Sequence, residues 1–247
     1  MSSHLYSSLV GRVRWFSKRF GASEMFLKPL RVGFAPLIIP LLKPKQFQFS
    51  GQTYQCHYAR YNMTWAGERM VEIPIGLGLL RDNPGARILE VGNVLSHYAT
   101  TSHTIVDKFE KGPDVINEDI LGYKPDTRFD LIISISTFEH IGFDDDAVGS
   151  SGDKIREAVE HCRSLLAPGG RFVMTVPTGY NPDLDQLMRE GALKPCNVRT
   201  LIRTGPRDWK EGTLEDALRH PYRSRYPYGN GVLIVDVLSL PSAPEPQ

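Results

Sequence analysis

The sequence predicts an α/β fold that is built on a doubly wound, mostly parallel sheet. The first observation is the run at residues 86–93, in which Ile88 and Leu89 lead to the acid Glu90 and then to Gly92. Buried parallel strands that end in a tight turn have this pattern, and we expect a helix to begin over that turn. The second observation is that further apolar runs follow, each ending in polar residues. Open α/β sheets bind their ligands at such strand ends.

Four runs supply the next strands of the sheet. Residues 104–107 end in Asp107, roughly 20 residues after the first turn, where open α/β sheets hold a ribose. Residues 166–170 mark the end of a helix, since they contain Pro168, Gly169 and Gly170. The other predicted parallel strands are residues 114–120, 129–136 and 171–177.

Beyond the fifth strand the pattern predicts a helix, a strand, a long loop and a last strand. The helix covers residues 182–190 and the two strands cover residues 197–203 and 231–238. The loop between these strands is rich in Arg and Tyr. We expect it to form surface or the contact of a homodimer, and an anionic or glycosyl acceptor site is the alternative.

Five segments in this order resemble the class I S-adenosylmethionine-dependent methyltransferases. They read ILEVGN, IVDKFE, INEDIL, FDLIISISTFEHIG and LLAPGGRFVMTVP, and together they span about residues 83–176. The resemblance implies a Rossmann-like, seven-stranded, mostly parallel doubly wound sheet whose last strand is antiparallel, with an N-terminal helical extension. It also implies an enzyme that transfers methyl groups from S-adenosyl-L-methionine.

The glycine-rich turn departs from that family's pattern of acid-x-Gly-x-Gly-x-Gly. Glu90 and Gly92 are present, but Val94 and Ser96 stand where further glycines are expected. This departure leaves open a non-catalytic module that keeps the fold for binding or scaffolding. It argues against a nicotinamide cofactor, which requires G-x-G-x-x-G.

Composition narrows the class of protein. The 247 residues carry a formal net charge of +1, so no nucleic-acid partner is expected. The three cysteines are odd in number and widely spaced, without a C-x-x-C motif, so neither a disulfide framework nor a zinc site is expected. We expect a cytoplasmic protein, because a reducing compartment suits free cysteines.

The first 47 residues form a basic, amphipathic N-terminal extension. They hold eight basic residues and one acid, and their apolar residues share one predicted helical face: Leu5, Leu9, Val13, Phe16 and Phe20. Two interpretations stay open. The helix either packs on the domain or closes over its active site, or it makes peripheral membrane contact. Residues 34–42 are too short to span a membrane, and no signal peptide is expected.

The chain thus divides into four predicted parts. Residues 1–47 are the extension, and residues 48–82 are a cap or lead-in segment with a small hairpin and a helix at residues 71–80. Residues 83–240 form the cofactor-binding domain, and residues 241–247 form a frayed, Pro-rich tail.

The resemblance assigns cofactor contacts to individual residues. Glu90 is expected near the methionine amino group or bonded to nearby backbone amides. Asp107 is expected to hold the ribose hydroxyls, with an exposed strand-end acid as the alternative. The remaining expected contacts are Arg69 with the methionine carboxylate, Gly92 and Asn93 in the turn, Asp119 and Ile120 at the adenine, and Ser134 and Ser136 beside the methyl group.

His140 is the first candidate for a catalytic base, with Glu139 beside it, because imidazole accepts protons near neutral pH. Its alternative role is to hold a loop. Residues 144–146 are three acids, for which a solvated loop or a helix cap is expected and a metal site is the alternative, and no metal is predicted. The expected acceptor contacts are Tyr61, Trp65, Tyr180 and Asn181, with core packing and helix capping as alternatives.

Taken together, these residues predict O-methylation of a small-molecule or carbohydrate-type acceptor. The stretches YNMTWAGER and VPTGYNPDLD look like those of bacterial methyltransferases in saccharide or natural-product pathways. The non-catalytic module is one alternative. A membrane-surface enzyme that acts on a lipid-linked glycan is another.

Overall fold

The computed structural model describes residues 22–144, 150–193 and 196–239. The predicted amphipathic face at residues 5–20 and the Pro-rich tail lie outside the described residues, as do Asp145 and Asp146. The N-terminal part contains helix α1, a two-stranded hairpin and helix α2, which correspond to Ala22–Ile38 (α1), Gln46–Phe49 (β1), Gln52–Gln55 (β2) and Arg69–Asp82 (α2).

One central sheet organises the rest of the chain. Its strands are Ile88–Val91 (β3), Thr104–Val106 (β4), Val115–Ile116 (β5), Phe129–Ile135 (β6), Leu166–Pro177 (β7), Cys196–Arg203 (β8), Trp209–Glu211 (β9) and Gly231–Leu238 (β10). They lie in the order β5-β4-β3-β6-β7-β10-β8-β9. Neighbours from β5 to β7 are parallel, and β10 is antiparallel to both β7 and β8. The predicted Rossmann-like sheet with an antiparallel last strand is therefore confirmed.

Helices cover both faces of this sheet. Alternate residues of β6 point to opposite sides, so Leu131 and Ile133 pack against α2 and the hairpin, while Ile132 packs against the helices that follow β6. These later helices are Ser151–Ser164 (α3), Pro182–Glu190 (α4) and Leu214–Leu218 (α5). The result is a three-layer arrangement with one apolar core on each face.

Two predictions about the elements differ from the structure at the edge of the sheet and at β7. The predicted Arg- and Tyr-rich loop contains an eighth strand, β9, which pairs antiparallel with β8. Strand β7 begins at Leu166, five residues before the predicted start, because Leu166 already pairs with Phe129 ahead of a register shift. Pro168 and Gly169 lie within this irregular stretch, which the sequence pattern presented as a helix end.

The helix expected after Gly92 is replaced by a single 3-10 turn at Leu95–His97. The backbone amides of Val94 and Leu95 donate to Glu90 Oε1 at 2.9 and 2.7 Å. A buried side chain therefore satisfies the amides that the first turn of a helix would leave without partners. The chain then reaches β4 within residues 92–103, all of which are described. Among the described residues, no helix is both long and apolar enough to cross a membrane.

Candidate cofactor and acceptor site

A cavity of about 520 Å³ opens at the carboxyl ends of β3, β4 and β6. This volume lies within the range of about 300–1,000 Å³ that is typical of small-molecule sites. We call it the first cavity. The predicted site residues that line it are Tyr61, Arg69, Gly92, Asn93, Asp107, Asp119, Ile120, Ser136, His140 and Tyr180.

Gly92 makes the turn at the end of β3. Its φ is +87°, and a Cβ added there would lie 2.2 Å from Thr137 Oγ1, so both conformation and space require glycine. Val94 has a φ of −120°, which any residue adopts. The missing glycine at this position therefore does not disturb the turn.

Glu90 lies beneath that turn, and its side chain is fully buried. Oε1 accepts the two backbone amides described above, and Oε2 lies 2.7 Å from His103 Nε2. Glu90 does not line the first cavity. Of the two roles that the sequence left open for Glu90, the structure shows the bonding to nearby backbone amides.

Asp107 follows β4 and holds the next turn together. Its Oδ2 accepts the amide of Asn93 at 2.8 Å, and its Oδ1 accepts the amides of Phe109 and Glu110 at 2.8 and 2.7 Å. A carboxylate offers about four acceptor positions, so about one remains for a ligand. Glu110 also lines the cavity, and its Oε1 accepts from Asn93 Nδ2 at 2.9 Å.

Asp119 and Ile120 lie beyond β5 at the far end of the first cavity. Asp119 accepts the backbone amide of Leu121 at 3.1 Å and pairs with Lys108 at 2.9 Å. Burial raises the pKa of Asp119, but the bonds from Lys108 and Leu121 outweigh it and lower the pKa overall. Asp119 is therefore an ionised acceptor next to the buried, apolar Ile120.

Tyr61, in the segment before α2, and Arg69, the first residue of α2, close the cavity. Arg69 Nη1 is buried and has no hydrogen-bond partner among the described residues. Tyr61 stacks on His97 with ring centroids 4.2 Å apart. The neighbouring Asn62 and Met63 have left-handed φ values of +48° and +55°, a form of backbone strain that collects at functional sites.

A second cavity of about 250 Å³ adjoins the first and shares several of its lining residues, among them Arg69, Ser136, His140 and Tyr180. Ser136 follows β6 with a φ of +43°. Its hydroxyl lies 2.8 Å from both carboxylate oxygens of Glu72, which is fully buried. Burial and the nearby charge of Glu68 raise the pKa of Glu72 to about 8.

His140 lies where the two cavities meet. Its Nδ1 is 2.5 Å from Asp144 Oδ2, and the same oxygen accepts the hydroxyl of Tyr180 at 2.7 Å. Burial lowers the pKa of His140, but Glu139 and Asp144 outweigh it and raise the pKa above its ordinary value. With Nδ1 donating to Asp144, Nε2 is the ring nitrogen that is able to accept a proton.

Glu139 is only 2 % exposed and lines the second cavity. Its Oε1 is 3.7 Å from His140 Nε2, while Oε2 is buried without a hydrogen-bond partner among the described residues. Burial raises the pKa of Glu139 to about 7, against the lowering effect of His140.

Three predicted site residues line neither cavity, besides Glu90. Ser134 donates to the carbonyl of Val91 at 2.8 Å and so joins β6 to β3. Asn181 caps α4 by accepting the amide of Asp183 at 3.0 Å, and its Nδ2 donates to the carbonyl of Glu139. Trp65 is half-buried near α2. The capping alternative for Asn181 is thus what the structure shows.

Several site residues were missed by the sequence predictions. Glu68 and Glu72 carried no motif, because buried carboxylates are recognised only by what surrounds them. Tyr222 belongs to the Arg- and Tyr-rich loop, for which an acceptor site was the alternative interpretation. From the sequence, Asp144 is expected in a solvated loop, a helix cap or a metal site, although its spacing of four residues from His140 is a usable signal for contact between the two side chains. The described residues contain no cluster of three or more His, Cys, Asp or Glu side chains that is arranged to hold a metal ion.

No protein-family model and no curated protein matches this chain. Solved structures do, at low identity. One is a Thermotoga maritima S-adenosylmethionine-dependent methyltransferase described as a possible histamine N-methyltransferase, with 15 % identity over 66 % of this chain and 86 % of that one, and a TM-score of 0.41. Another is the N-methyltransferase NodS from Bradyrhizobium japonicum with S-adenosylhomocysteine, with 15 % identity over 70 % and 91 %, and a TM-score of 0.37. At this similarity neither match carries a functional conclusion.

Proposed function

We propose that this chain is an S-adenosyl-L-methionine-dependent methyltransferase that acts on a small-molecule acceptor. The observation that carries the proposal is the order of residues along the first cavity. The strand order puts Asp119 and Ile120 after β5, Asp107 after β4 and the turn at Gly92 after β3, and Arg69 lies where this cavity adjoins the second one. Each group has the chemistry of one part of this cofactor.

The chemistry of these residues fits the cofactor part by part. Asp119 offers an acceptor to the adenine amino group, and Asp107 or Glu110 offers acceptors to the ribose hydroxyls. The buried, unpartnered Nη1 of Arg69 fits a carboxylate, which guanidinium groups bind through charge-assisted hydrogen bonds. When bound, the cofactor supplies an electrophilic methyl carbon on a sulfonium sulfur.

In this proposal the protein aligns the acceptor and receives its proton. His140 Nε2 faces the junction of the cavities, while Asp144 holds the ring by its other nitrogen. A base whose orientation is fixed by a carboxylate contributes about 10²–10⁴-fold in rate. The sequence favours an oxygen atom as the methyl acceptor, whereas the acidic side chains at the second cavity favour a nitrogen atom.

Calorimetric titration with S-adenosylmethionine and S-adenosylhomocysteine tests the proposal. We expect saturable binding in the micromolar range, about −8 kcal/mol. Arg69→Gln removes the charge and shortens the side chain but keeps a polar amide, and we expect it to weaken binding of both ligands. Arg156→Gln, on the exposed surface of α3, is the matched control. No binding of either ligand by the wild-type chain would point to the non-catalytic module.

The outer face of α1 supports peripheral membrane contact, the second interpretation of the N-terminal extension. Lys28 lines both cavities and the Arg31 guanidinium lies 6.0 Å from the Tyr228 ring centroid, so this side of α1 faces the site. The apolar side chains turn outward instead. Those of α1 that are exposed by 42–67 % are Leu27, Leu30, Phe34 and Leu37, and Leu41 in the 3-10 turn that follows is 82 % exposed. A basic segment with an outward apolar stripe matches an anionic lipid surface.

Flotation with vesicles that contain phosphatidylglycerol tests this contact on the full chain. We expect wild-type protein to float and Leu37→Glu to remain in solution. Thr127→Glu adds the same charge at an exposed position away from α1 and serves as the control. Failure of the wild type to float excludes the lipid surface. A change of oligomeric state in Leu37→Glu would instead assign the stripe to a second copy of the chain.

A further inference from the structure

The second cavity is lined by acidic side chains. Glu68 and Glu139 line it, and the buried Glu72 lies behind Ser136. Glu68 Oε2 accepts the amide of Gly229 at 2.7 Å, so that oxygen is satisfied within the protein. The cavity meets the first one at His140 and Ser136, which is where a methyl acceptor has to lie if the proposed function holds.

Glu139 distinguishes this cavity from an ordinary polar pocket. Its side chain is almost fully buried, and Oε2 has no hydrogen-bond partner among the described residues. A buried carboxylate oxygen without a partner is costly, so it is found where a ligand supplies the missing donor. The backbone of Glu139 is held in place, because Asn181 Nδ2 donates to its carbonyl at 3.0 Å.

Aromatic rings form the opposite wall. Tyr180 and Tyr222 meet edge to face with ring centroids 5.1 Å apart, and Tyr228 lines the same cavity with a left-handed φ of +66°. Burial raises the pKa of Tyr222 well above its ordinary value, so this ring stays a neutral phenol. The faces of such rings attract cations.

We propose that the second cavity binds an amine acceptor in its ammonium form, held between Glu139 and the rings of Tyr180, Tyr222 and Tyr228. This inference rests on the proposed function for the transfer itself, and it makes the reaction an N-methylation. Carboxylate and aromatic faces together are the chemistry that recognises an alkylammonium group.

The proton balance follows from the positions of Glu139 and His140. The ammonium group donates to Glu139 and passes one proton to His140 Nε2, 3.7 Å from the other oxygen of Glu139. The nitrogen lone pair then forms the N–C bond while the C–S bond breaks and leaves its electron pair on sulfur. The product is a methylated ammonium ion and a neutral thioether.

Other charged groups face Glu139 and enter the pH dependence. Arg69 and Lys28 are the cations that line the cavity, and the Arg31 guanidinium lies 6.0 Å from the Tyr228 ring centroid. Arg69 is assigned above to the carboxylate of the cofactor, and Lys28 is exposed at the cavity opening. Glu68 and His140 share the cavity wall with Glu139, and the buried Glu72 lies behind Ser136. Ionisation of the two titrating acids, Glu139 and Glu72, and loss of the His140 proton all strengthen ammonium binding as pH rises.

Benzylamine and benzyl alcohol are a suitable probe pair, because they differ in charge but little in shape. We expect calorimetry on the full chain to give benzylamine at least about tenfold tighter binding than benzyl alcohol near pH 8. Glu139→Gln is expected to bring the two affinities together. Glu157→Gln, on the exposed surface of α3, is expected to keep the difference.

A second measurement needs no variant. Benzylamine affinity for the wild type is expected to fall several-fold from about pH 8 to about pH 6, as Glu139 takes up a proton, while benzyl alcohol is unaffected. Equal affinities of the two probes, or a benzylamine affinity that does not change with pH, would overturn the proposal.

Failure of the proposed function and failure of the amine site give different results. Titrations are run with and without saturating S-adenosylhomocysteine. If S-adenosylhomocysteine does not bind, the proposed function fails, and the probe pair still reports on the cavity. If it binds but Glu139→Gln leaves the preference for benzylamine intact, only the amine site is wrong.

Discussion

Ser136 Oγ lies 2.8 Å from each carboxylate oxygen of Glu72, beneath the carboxyl end of β6. The hydroxyl has one hydrogen for two acceptors, and Glu72 is fully buried. Burial first, and the charge of Glu68 second, raise the pKa of this carboxyl from 4.5 to about 8. Because Ser136 lines the second cavity, the titration of Glu72 connects that cavity with the pH dependence of the free energy of unfolding.

We expect the free energy of unfolding to fall as pH rises from about 4.5 to about 8. In that window the folded state holds a proton on Glu72 that the unfolded state has released, so each pH unit costs up to about 1.4 kcal/mol. Urea unfolding at several pH values measures this slope. Glu72→Gln keeps a hydrogen-bonding side chain without the titration, and its curve is expected to be flatter. The surface variant Glu157→Gln should follow the wild type.

A second prediction concerns the tautomer of His140. Nδ1 is expected to carry the proton donated to Asp144, and Asp144→Asn is expected to lower the pKa of His140, because the charge of Asp144 is one of the causes that raise it. Heteronuclear NMR of the imidazole nitrogens reads both quantities without any acceptor. Asp153→Asn, 78 % exposed on α3, controls for loss of surface charge. An unchanged pKa of His140 in Asp144→Asn would contradict the prediction that Asp144 raises it.

A third prediction compares two glycines. Gly92 and Gly85 have φ values of +87° and +78°, but only a Cβ at Gly92 meets another group, Thr137. Alanine at either position costs about 1–2 kcal/mol for the left-handed backbone. Gly92→Ala is expected to lose further stability and to abolish cofactor binding, because the turn has to move away from Thr137. Thermal unfolding and calorimetry on both variants give the comparison, and equal losses would contradict it.

A fourth prediction separates the turn at Asp107 from ligand contact. Asp107→Asn keeps the shape of the side chain, but its amide nitrogen cannot accept the backbone amide that its oxygen accepted. We expect cofactor affinity to fall by about tenfold or more, with a smaller loss of stability. Asp126→Asn, at an exposed loop position, is the control. Normal affinity in Asp107→Asn would assign the ribose to Glu110 alone.

The sequence predicted the sheet well because a buried strand is recognised from its own run of apolar residues. The runs ending at Val91, Val106 and Ile135 lie where they were expected, and α4 spans the predicted residues 182–190. The turn after β3 was harder, because the backbone amides of Val94 and Leu95 donate to Glu90 where the sequence pattern suggested the start of a helix. The acceptor side was hardest. Only the folded chain brings Glu68, Glu139 and Tyr222 together there, and no spacing along the sequence indicates that they are close.

Strand β10 is the last strand of the described residues, yet it lies between β7 and β8. Its residues 232–238 pair with residues 171–177 on one side, and residues 231–237 pair with residues 196–202 on the other. Before it inserts, both neighbours present unpaired backbone edges beside apolar side chains, which is a template for aggregation. Folding of this half of the sheet therefore waits for the final strand. A chain cut before Gly231 is expected to aggregate instead of forming a smaller domain.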